Sequence, residues 1–264
     1  MSVEVLYSDV DGTLLGPGGS LFTTPRGDLT LRAAEAIVSL HRAGVNLVLV
    51  SGRTQAQLSE LARVVSASAY ISEMGALVVD RSVFPEIVHR NYGEFEGDDT
   101  PAERMTRSGA VRMLLERYAG RLEPHTPWSS QYREATMLFR GHVDRDEAQS
   151  DLDRAYGWLE LSDNGLISRG FETLEVNEVH AYHLTPKGID KASGVRRHLE
   201  IARINPDAAA AVGDSRSDAK LAEVVGVVFI TANGRAGVGN LPLNARFTEA
   251  SHGEGFAEAV EAIV

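Results

Sequence analysis

The sequence predicts an α/β fold in which a doubly wound, Rossmann-like parallel sheet carries an inserted α+β domain. Short apolar runs such as residues 45–50 are typical of strands covered on both faces, and helical patterns alternate with them. This alternation stops after residue 81 and resumes after residue 187. We therefore expect residues 1–81 and 185–264 to form one domain and residues 82–184 to form the inserted one.

The composition is that of an ordinary globular protein and excludes several classes of function. The 264 residues are 43% hydrophobic and 24% charged, and the formal net charge is −11. This acidic balance argues against nucleic acids and anionic membranes as partners, but it is compatible with a small anionic substrate. The absence of cysteine excludes a disulfide, a thiolate metal site and a thiol nucleophile. With no signal peptide or membrane span in the sequence, we expect a cytoplasmic protein. We expect it to be a monomer or a homodimer.

Local signals place the elements of the first third of the chain. Residues 3–8 are typical of a short buried strand that ends at an acidic turn. After a loop rich in Gly, Pro, Ser and Thr, helical spacing begins at Leu31 and Gly44 closes the helix. Thr54 and Gln57 form a capping-box pattern that opens a second helix. Two more short strands are expected at residues 70–71 and 77–79.

The remaining elements are predicted in the same way. Thr100, Pro101 and Glu103 have the residue types of a helix start, with an N-cap, a proline at N1 and a glutamate at N3. The Asn-Gly pair within residues 162–165 predicts a hairpin turn. The last third should contain a helix over 190–203, a strand over 208–212, a short helix over 218–225, a strand over 227–230 and a helix from about Gly255.

Two carboxylates, Asp9 and Asp11, leave the first strand together and are followed by Gly12. Two neighbouring anions are costly unless a cation lies between them or one of them carries a proton. One carboxylate could attack phosphorus, and the other could protonate the leaving group and later deprotonate water. Gly12 permits a tight turn and a close approach of backbone N–H groups to a phosphate. A plain Asp-Gly turn is the structural alternative.

Two further motifs suit an anion, although each has a structural explanation when taken alone. Ser51, Gly52 and Arg53 stand between an apolar strand and a helix, where a hydroxyl and a helix N-terminus favour an anion. Lys191 stands near a helix start, which the helix dipole disfavours unless an anionic site lies nearby. Ordinary turn residues and a solvated lysine are the alternatives.

Asp214 and Asp218 form the last motif, at the end of a small-residue strand. Carboxylates spaced by one helical turn can converge on one cation, and Mg²⁺ is commonly bound by one or two carboxylates together with waters and substrate phosphate. Helix capping, with Asp214 or Ser215 as the N-cap residue, explains the same residues equally well.

In this order and on these elements, the motifs closely resemble those of the haloacid dehalogenase-like phosphatase superfamily. Within it, the chain looks like the branch whose cap (type C2, subclass IIB) is inserted after the third strand, which contains Cof-type and sugar-phosphate phosphatases. The resemblance implies a core that performs the chemistry and a cap that selects the substrate. The matching segments are DVDGTLL, LVSGRT, ISEMGALVVD, TPKGIDKASGV, AVGDSRSDAKLAEVVGVVFITANG and SHGEGFAEAV.

The resemblance also implies roles for individual residues. Asp9 would be the nucleophile and Asp11 the general acid/base, while Ser51 and Lys191 would hold the transferring phosphoryl group. Mg²⁺ would be the cofactor, with Asp218 ligating it or orienting its water. The other metal ligands would be the Asp9 carboxylate, the Asp11 backbone carbonyl and Asp214, and the core residues expected to contact the substrate are Gly12, Gly52 and Arg53.

Two positions depart from the family pattern. Ser217 stands where the family usually has asparagine before the last aspartate, and Met74 stands where it often has asparagine before glycine. Serine has a shorter reach than asparagine, and methionine cannot replace the hydrogen bonds of an amide. Both changes put in doubt the contacts around the proposed catalytic groups, but neither removes one.

The inserted domain offers candidate substrate contacts between His125 and Arg133, in a segment that mixes proline, aromatic residues and charge. Trp128 could stack on a sugar face, and Arg133 could hold a second anionic group. A packing role for Trp128 and a surface role for Arg133 are the alternatives.

The sequence favours a Mg²⁺-dependent phosphatase for a small phosphorylated metabolite, which we expect to be a sugar phosphate or phosphorylated glycoside. A phosphomutase or phosphotransferase would share the chemistry up to phospho-Asp9 and is the main alternative. Retention of Asp11 and Asp214 argues against a dehalogenase, and retention of every proposed catalytic group argues against a non-catalytic sugar-phosphate sensor. A phosphoglycolate-like acid also stays open as the substrate.

Overall fold

The structure is a computed structural model that describes residues 2–129, 131–168 and 170–264. The chain forms two compact units: the core unit, Met1–Asn91 with Asp190–Val264, and the inserted unit, Tyr92–Ile189. Both boundaries lie later in the chain than those expected at residues 81/82 and 184/185. The reason is strand pairing, because residues 87–90 pair within the core sheet and residues 185–186 pair within the inserted sheet.

The first stretch of the core unit alternates strands and helices as the sequence predicts. The Thr54–Gln57 capping box is present, since each residue's backbone N–H donates to the other's side chain. The first helix ends just before Gly44, which has a φ of +73°. In chain order the elements are β1 (Val5–Ser8), α1 (Arg32–Arg42), β2 (Asn46–Val50), α2 (Gln55–Val64), β3 (Ala69–Ser72), β4 (Leu77–Asp80) and β5 (Ile87–Arg90).

The inserted unit is an antiparallel sheet packed on helices. Its elements are α3 (Pro101–Ser108), α4 (Ala110–Arg117), β6 (Leu122–Pro124), β7 (Met137–Gly141), α5 (Arg145–Ala155), β8 (Leu159–Ser168) and β9 (Val179–Pro186). The strand order is β6-β7-β9-β8. One face packs Phe139 and Tyr182 against the helices through Leu114 and Leu152, so this unit has its own apolar core.

The predicted hairpin turn at residues 162–165 is wrong. These residues lie inside the continuous strand β8, whose register against β9 shifts between Asp163 and Leu166. Gly165 has a φ of +91°, and its N–H donates to Asp163 Oδ1 at 2.7 Å. The Asn-Gly signal therefore marks a bulge, because a glycine with positive φ serves either a tight turn or a bulge.

The last stretch returns to the core unit. The short helix expected at 218–225 is instead α7 followed by a 3₁₀ turn, and the last helix begins at His252 rather than near Gly255. No helix in the described part of the chain is long and apolar enough to cross a membrane. The elements are α6 (Lys191–Ala202), β10 (Ala209–Gly213), α7 (Arg216–Ala219), β11 (Val227–Ile230), α8 (Arg235–Val238), β12 (Ala245–Phe247) and α9 (His252–Glu261).

The core sheet has eight strands in the order β12-β11-β10-β1-β2-β3-β4-β5. It is parallel from β12 to β3, and β4 and β5 add antiparallel strands at one edge. Strand β1 pairs with β2 on one side and with β10 on the other. The strand order thus reverses beside β1, and such a switch point is where open α/β sheets bind ligands. The predicted doubly wound fold is confirmed.

Alternating residues of β1 supply both apolar layers of the core unit. Leu6 packs in one layer with Leu40 and Phe256, whereas Tyr7 packs in the other with Val195. A strand that is covered on both faces needs apolar residues at consecutive positions, which explains the continuous apolar runs in the sequence.

A buried tyrosine–histidine pair joins β1 to α6. The Tyr7 hydroxyl and His198 Nδ1 are 2.8 Å apart, and the two rings meet edge to face. Burial lowers the pKa of His198 to about 4, while Asp80 raises it and His89 lowers it by smaller amounts. His198 is therefore neutral in the folded protein at neutral pH.

We predict that His198→Gln removes an acid-sensitive part of the stability. The folded-state pKa of about 4 lies below the ordinary value of 6.5, so unfolding takes up a proton between these values. The contribution is therefore fully present above pH 6.5 and is lost as the pH falls towards 4. Between pH 7 and pH 5, the wild-type free energy of unfolding should fall by about 2 kcal/mol more than that of the variant. Urea denaturation measures this difference, and equal slopes for the two proteins would contradict it.

Candidate active site

The predicted site residues of the core unit meet at the carboxyl ends of its central strands. Asp9 follows β1, Ser51 follows β2 and Asp214 follows β10, while Lys191 is the first residue of α6. Parallel strands deliver their carboxyl ends to one edge of the sheet, so these side chains converge beside the switch point.

Lys191 lies buried between two aspartates. Its Nζ donates to Asp9 Oδ1 at 2.6 Å and to Asp218 Oδ1 at 2.8 Å. The exposed fractions of the three side chains are only 4%, 7% and 1%. Burial alone would lower the pKa of Lys191, but Asp218 and Asp9 raise it above its ordinary value, so the ammonium group stays charged. The alternative considered for Lys191, a lysine solvated at the surface, is therefore wrong.

Three carboxylates share this site. Each of Asp9, Asp214 and Asp218 contributes one oxygen to a group in which these atoms lie within 4.8 Å of one another. Burial, with the charge of Asp218, raises the pKa of Asp9 to about 7 against the opposing effect of Lys191. Burial, together with Asp9 and Asp218, raises the pKa of Asp214 to about 8. One lysine among three carboxylates leaves negative charge to balance, and an all-oxygen donor set of this kind fits Mg²⁺.

Asp218 belongs both to the site and to the cap of its own helix. Its Oδ2 accepts hydrogen bonds from the backbone N–H groups of Asp214 and Ser215, at 3.2 and 3.0 Å, and from the Ser215 hydroxyl. Ser215 is the N-cap of α7 and forms a capping box with Asp218. The capping explanation is therefore confirmed, with Oδ2 of Asp218 fixing the loop and Oδ1 contacting Lys191, and the expected role of Asp218 at a cation stays a prediction.

Gly12 is required by the position of Asp214. A Cβ atom at Gly12 would lie 2.2 Å from Asp214 Oδ2, and Gly12 has a φ of +86°. A side chain there would displace the carboxylate as well as strain the backbone. This finding assigns Gly12 a structural role in the site, and its expected contact with substrate stays a prediction.

Asp11 lies apart from the three clustered carboxylates and pairs with Arg53. Arg53 Nε donates to Asp11 Oδ2 at 2.7 Å and Arg53 Nη2 donates to Oδ1 at 2.6 Å, so both carboxylate oxygens are bound. Burial would lower the pKa of Arg53, but the hydrogen bonds and charge of Asp11 raise it. Arg53 was expected to contact the substrate. In the structure, its Nε and Nη2 instead bind Asp11, which is itself a candidate catalytic residue.

Ser51 is buried at the end of β2, where its hydroxyl accepts from the Arg53 backbone N–H at 3.2 Å. Its carbonyl oxygen accepts from the Met74 backbone N–H at 3.1 Å. Gly52 lies between Ser51 and Arg53, in the turn that leads into α2. The roles expected for Ser51 and Gly52 towards a phosphoryl group stay predictions.

Sequence reasoning missed Asn233, in the loop after β11, and His252, the first residue of α9, which both support the site. Asn233 Nδ2 donates to Asp214 Oδ2 at 3.0 Å and to the Gly12 carbonyl at 2.9 Å. His252 Nδ1 lies 2.9 Å from the same carbonyl, and its backbone N–H donates to Asn233 Oδ1 at 2.9 Å. The sequence did carry one signal for Asn233. It lies shortly after β11, a predicted parallel strand of the same sheet, and so near the edge where the site residues gather.

The two departures from the family pattern have different surroundings. The Ser217 hydroxyl lies 2.8 Å from the Ser215 hydroxyl and so joins the hydrogen-bond network of the α7 cap. Met74 is buried in the turn after β3, with a φ of +61°. Nearby, Asn91 Nδ2 donates to the Gly75 carbonyl and to the Ser193 hydroxyl, both at 3.1 Å. An amide thus tethers this turn to α6 even though position 74 carries none.

The candidate contacts in the inserted unit lie in the loop between β6 and β7. Trp128 is 47% exposed, as a stacking surface requires. Arg133 is buried instead, and it donates through Nε to the Trp128 carbonyl at 2.6 Å and through Nη1 to Thr136 Oγ1 at 2.7 Å. The surface role considered for Arg133 is wrong, because its guanidinium holds its own loop. The substrate contacts expected of Trp128 and Arg133 stay predictions.

Comparison with known proteins assigns the family. A profile of the haloacid dehalogenase-like hydrolases matches residues 6–92 and 138–258, which is more than half of the chain. The chain belongs to the haloacid dehalogenase-like hydrolase family. The matched ranges contain all the proposed catalytic and metal-binding residues: Asp9, Asp11, Ser51, Lys191, Asp214 and Asp218.

Individual relatives agree with this assignment. A phosphoglycolate phosphatase of Methanoculleus marisnigri is 28% identical, over 98% of this chain and 96% of the relative. A subclass IIB sugar phosphatase has the same fold, with a TM-score of 0.67 at 16% identity, over 99% of this chain and 100% of the other. The sucrose-phosphatase of Synechocystis sp. PCC6803 has a TM-score of 0.65 at 16% identity, over 100% of this chain and 98% of the other. The expected enzyme class, a phosphatase of this superfamily, is confirmed.

We predict that Lys191→Met destabilises the chelator-treated protein by about 3–5 kcal/mol at pH 8, because it leaves buried carboxylates without their counter-ion. Loss of the ammonium raises the pKa values of Asp9 and Asp214 further, so the folded state binds more protons than the unfolded state. Stability is therefore lost as the pH rises, and the variant should recover part of it at pH 5.5. Chemical denaturation at both pH values measures the effect.

Lys187→Met is the matched control. It breaks a half-exposed ion pair, Lys187 Nζ to Asp153 Oδ1 at 3.0 Å, and should cost less than about 1 kcal/mol. Equal losses in the two variants would show that Lys191 does not balance the buried carboxylates.

Proposed function

We propose that this protein is a Mg²⁺-dependent phosphatase that hydrolyses a small phosphorylated metabolite through an aspartyl-phosphate on Asp9. One observation carries the proposal. The buried Asp9 carboxylate, at the switch point, contacts Lys191 and shares a cluster with Asp214 and Asp218. A carboxylate that could act as the nucleophile, a cation and carboxylate oxygens that could bind a metal lie around one point, which supports phosphoryl transfer.

The residues of the core unit divide the reaction between them. Asp9 attacks phosphorus as the bond to the leaving oxygen breaks, and Asp11 gives that oxygen its proton. Water then attacks the phospho-Asp9, passes a proton back to Asp11 and releases phosphate, so that both aspartates are regenerated. Lys191 and Ser51 hold the phosphoryl oxygens during both steps.

The metal would be held by the carboxylates of Asp9 and Asp214 and by the Asp11 backbone carbonyl, with Asp218 as a ligand or as the partner of a bound water. When bound, Mg²⁺ would neutralise charge on the phosphoryl oxygens. Asn233 keeps Asp214 in place, through the hydrogen bond at 3.0 Å and through the Gly12 carbonyl. Such supporting contacts commonly matter as much as the ligands.

For the substrate, we favour a phosphorylated two-carbon acid of the phosphoglycolate type, with sugar phosphates as the second class. The relatives that match almost the whole chain, such as that of Methanoculleus marisnigri, are named phosphoglycolate phosphatases. The sugar-phosphate class favoured by the sequence is supported by structural neighbours at 16% identity, a level at which they support the fold and not the substrate.

A panel of phosphomonoesters tests the function. We expect phosphate release from phosphoglycolate, or from one sugar phosphate, in the presence of Mg²⁺ and its loss with a chelator. Asp9→Asn keeps the size of the side chain but removes the nucleophile, so it should lower the rate by at least about 10³-fold. Free phosphate is measured without any added acceptor.

The outcomes separate the candidate functions. Release without an acceptor supports a hydrolase, whereas release or transfer only with a sugar acceptor would support a mutase. Near-normal turnover by Asp9→Asn would exclude the aspartyl-phosphate mechanism.

We predict that Asn233→Ala lowers the affinity for Mg²⁺ by about 10-fold or more, because Asp214 loses the amide that orients it. Isothermal titration with Mg²⁺ alone measures this without substrate. Asn244→Ala is the matched control. Within the described residues, its amide donates to the backbone carbonyls of Ala222, Val225 and Gly226 beside β11 and to no group of the site, so the metal affinity should not change. Unchanged Mg²⁺ affinity in Asn233→Ala would show that Asp214 needs no such support.

A further inference from the structure

Arg53 binds both oxygens of the Asp11 carboxylate, a geometry that a residue binding only the substrate phosphate would not require. Nε and Nη2 of one guanidinium each bind a different oxygen of one carboxylate, at 2.7 and 2.6 Å. A two-point contact of this kind fixes the plane of the carboxylate as well as its distance. In the described part of the chain, the Asp11 carboxylate has no other hydrogen bond.

We propose that Arg53 is a positioning residue that aims the Asp11 carboxylate for proton transfer, and that it does not clamp the phosphoryl group of the substrate. This inference rests on the proposed function, because it assumes that Asp11 is the general acid/base. It reassigns a residue that the sequence places among the substrate contacts.

Arg53 is itself held by two neighbouring strand ends. Its backbone N–H donates to Ser51 Oγ at 3.2 Å, and its carbonyl oxygen accepts from the Glu73 N–H at 2.9 Å. The side chain of Arg53 is 27% exposed and that of Asp11 is 57% exposed. Arg53 is therefore the more buried and more firmly held partner, so its two N–H groups determine where the more exposed carboxylate of Asp11 points.

The distribution of charge supports the same assignment. Lys191 already contacts Asp9 with its Nζ at 2.6 Å, so a cation stands beside the nucleophile without Arg53. Nε and one N–H of Nη2 bind Asp11, so the side-on face of the Arg53 guanidinium is taken, and a phosphate contact would have to use Nη1 and the second N–H of Nη2. To bind phosphate through its Nε–Nη2 face, Arg53 would have to release the carboxylate on which the proposed leaving-group protonation depends.

The assignment has a chemical consequence that depends on the leaving group. An alkyl phosphate expels an alkoxide-like oxygen that needs the proton of Asp11 as its bond to phosphorus breaks. An aryl phosphate such as 4-nitrophenyl phosphate expels a stable phenolate, which needs little protonation. If Asp11 is no longer oriented for proton transfer, hydrolysis of the alkyl phosphate should therefore slow much more than hydrolysis of the aryl phosphate.

The experiment compares kcat/KM for 4-nitrophenyl phosphate and for the best alkyl phosphate of the panel, because kcat/KM reports the first phosphoryl transfer. For Arg53→Met we expect a loss of about 10²-fold with the alkyl phosphate and of less than about 10-fold with the aryl phosphate. Arg53→Lys should keep most of this selective loss, since one ammonium group cannot bind both oxygens in a fixed plane.

A double-mutant cycle with Asp11→Asn tests whether Arg53 acts through Asp11. In the Asp11→Asn background, Arg53→Met should cost no more than about 3-fold further with the alkyl phosphate. Equal losses with both substrates, an undiminished loss in the Asp11→Asn background or full rescue by lysine would each overturn the assignment. The first two results would instead identify Arg53 as a direct phosphate contact.

Controls separate this inference from folding and from the proposed function. Both substrates are measured on one preparation, so a partly unfolded variant lowers both rates equally and leaves their ratio unchanged. Arg63→Met, which removes an exposed ion pair with Glu60 on the same helix α2, should leave both rates unchanged. If the wild type releases no phosphate from any ester, the proposed function fails. If it does but the ratio is unchanged in Arg53→Met, only the role of Arg53 fails.

Discussion

Lys191 lies buried between Asp9 and Asp218, and this contact joins three segments that are distant in the sequence: the end of β1, the start of α6 and the loop after β10. Removing a lysine from water is costly, as is placing it at the N-terminal end of a helix. Two hydrogen-bonded carboxylates offset both costs. Each of the three groups therefore offsets a cost of burying the others, and the parallel sheet is what brings them together.

Much of this arrangement follows from the sequence, because it depends on local patterns. Apolar runs predicted the strands of the core, and the acidic residues that follow β1 and β10 predicted where charge would concentrate. The capping box at Thr54 likewise depends on residues three apart. Each of these signals lies within a few residues of the feature that it predicts, so a single sequence is sufficient to read it.

Some features could not be predicted from the sequence. They depend either on contacts between segments that are distant in the chain or on a residue pattern that is compatible with two local structures. The support that Asn233 gives to Asp214 depends on how closely β11 lies beside β10. The Asn164–Gly165 pair suits a turn and a bulge alike, and only pairing with β9 decides between them. The partner of Arg53 could not be read either, since its reach to Asp11 spans 42 positions in the sequence.

The site thus separates two kinds of charged contact by their exposure. Lys191, Asp9 and Asp218 are almost fully buried, which suits their proposed roles of attacking phosphorus and of balancing its charge in a fixed, weakly screened field. Asp11 is more than half exposed, which suits its proposed role of exchanging protons with water in every cycle. An exposed carboxylate on a short turn would sample several orientations, and the anchored fork of Arg53 removes that freedom without burying the carboxylate. Burial thus fixes Lys191, Asp9 and Asp218, and a two-point contact fixes Asp11, the group that we propose moves the proton.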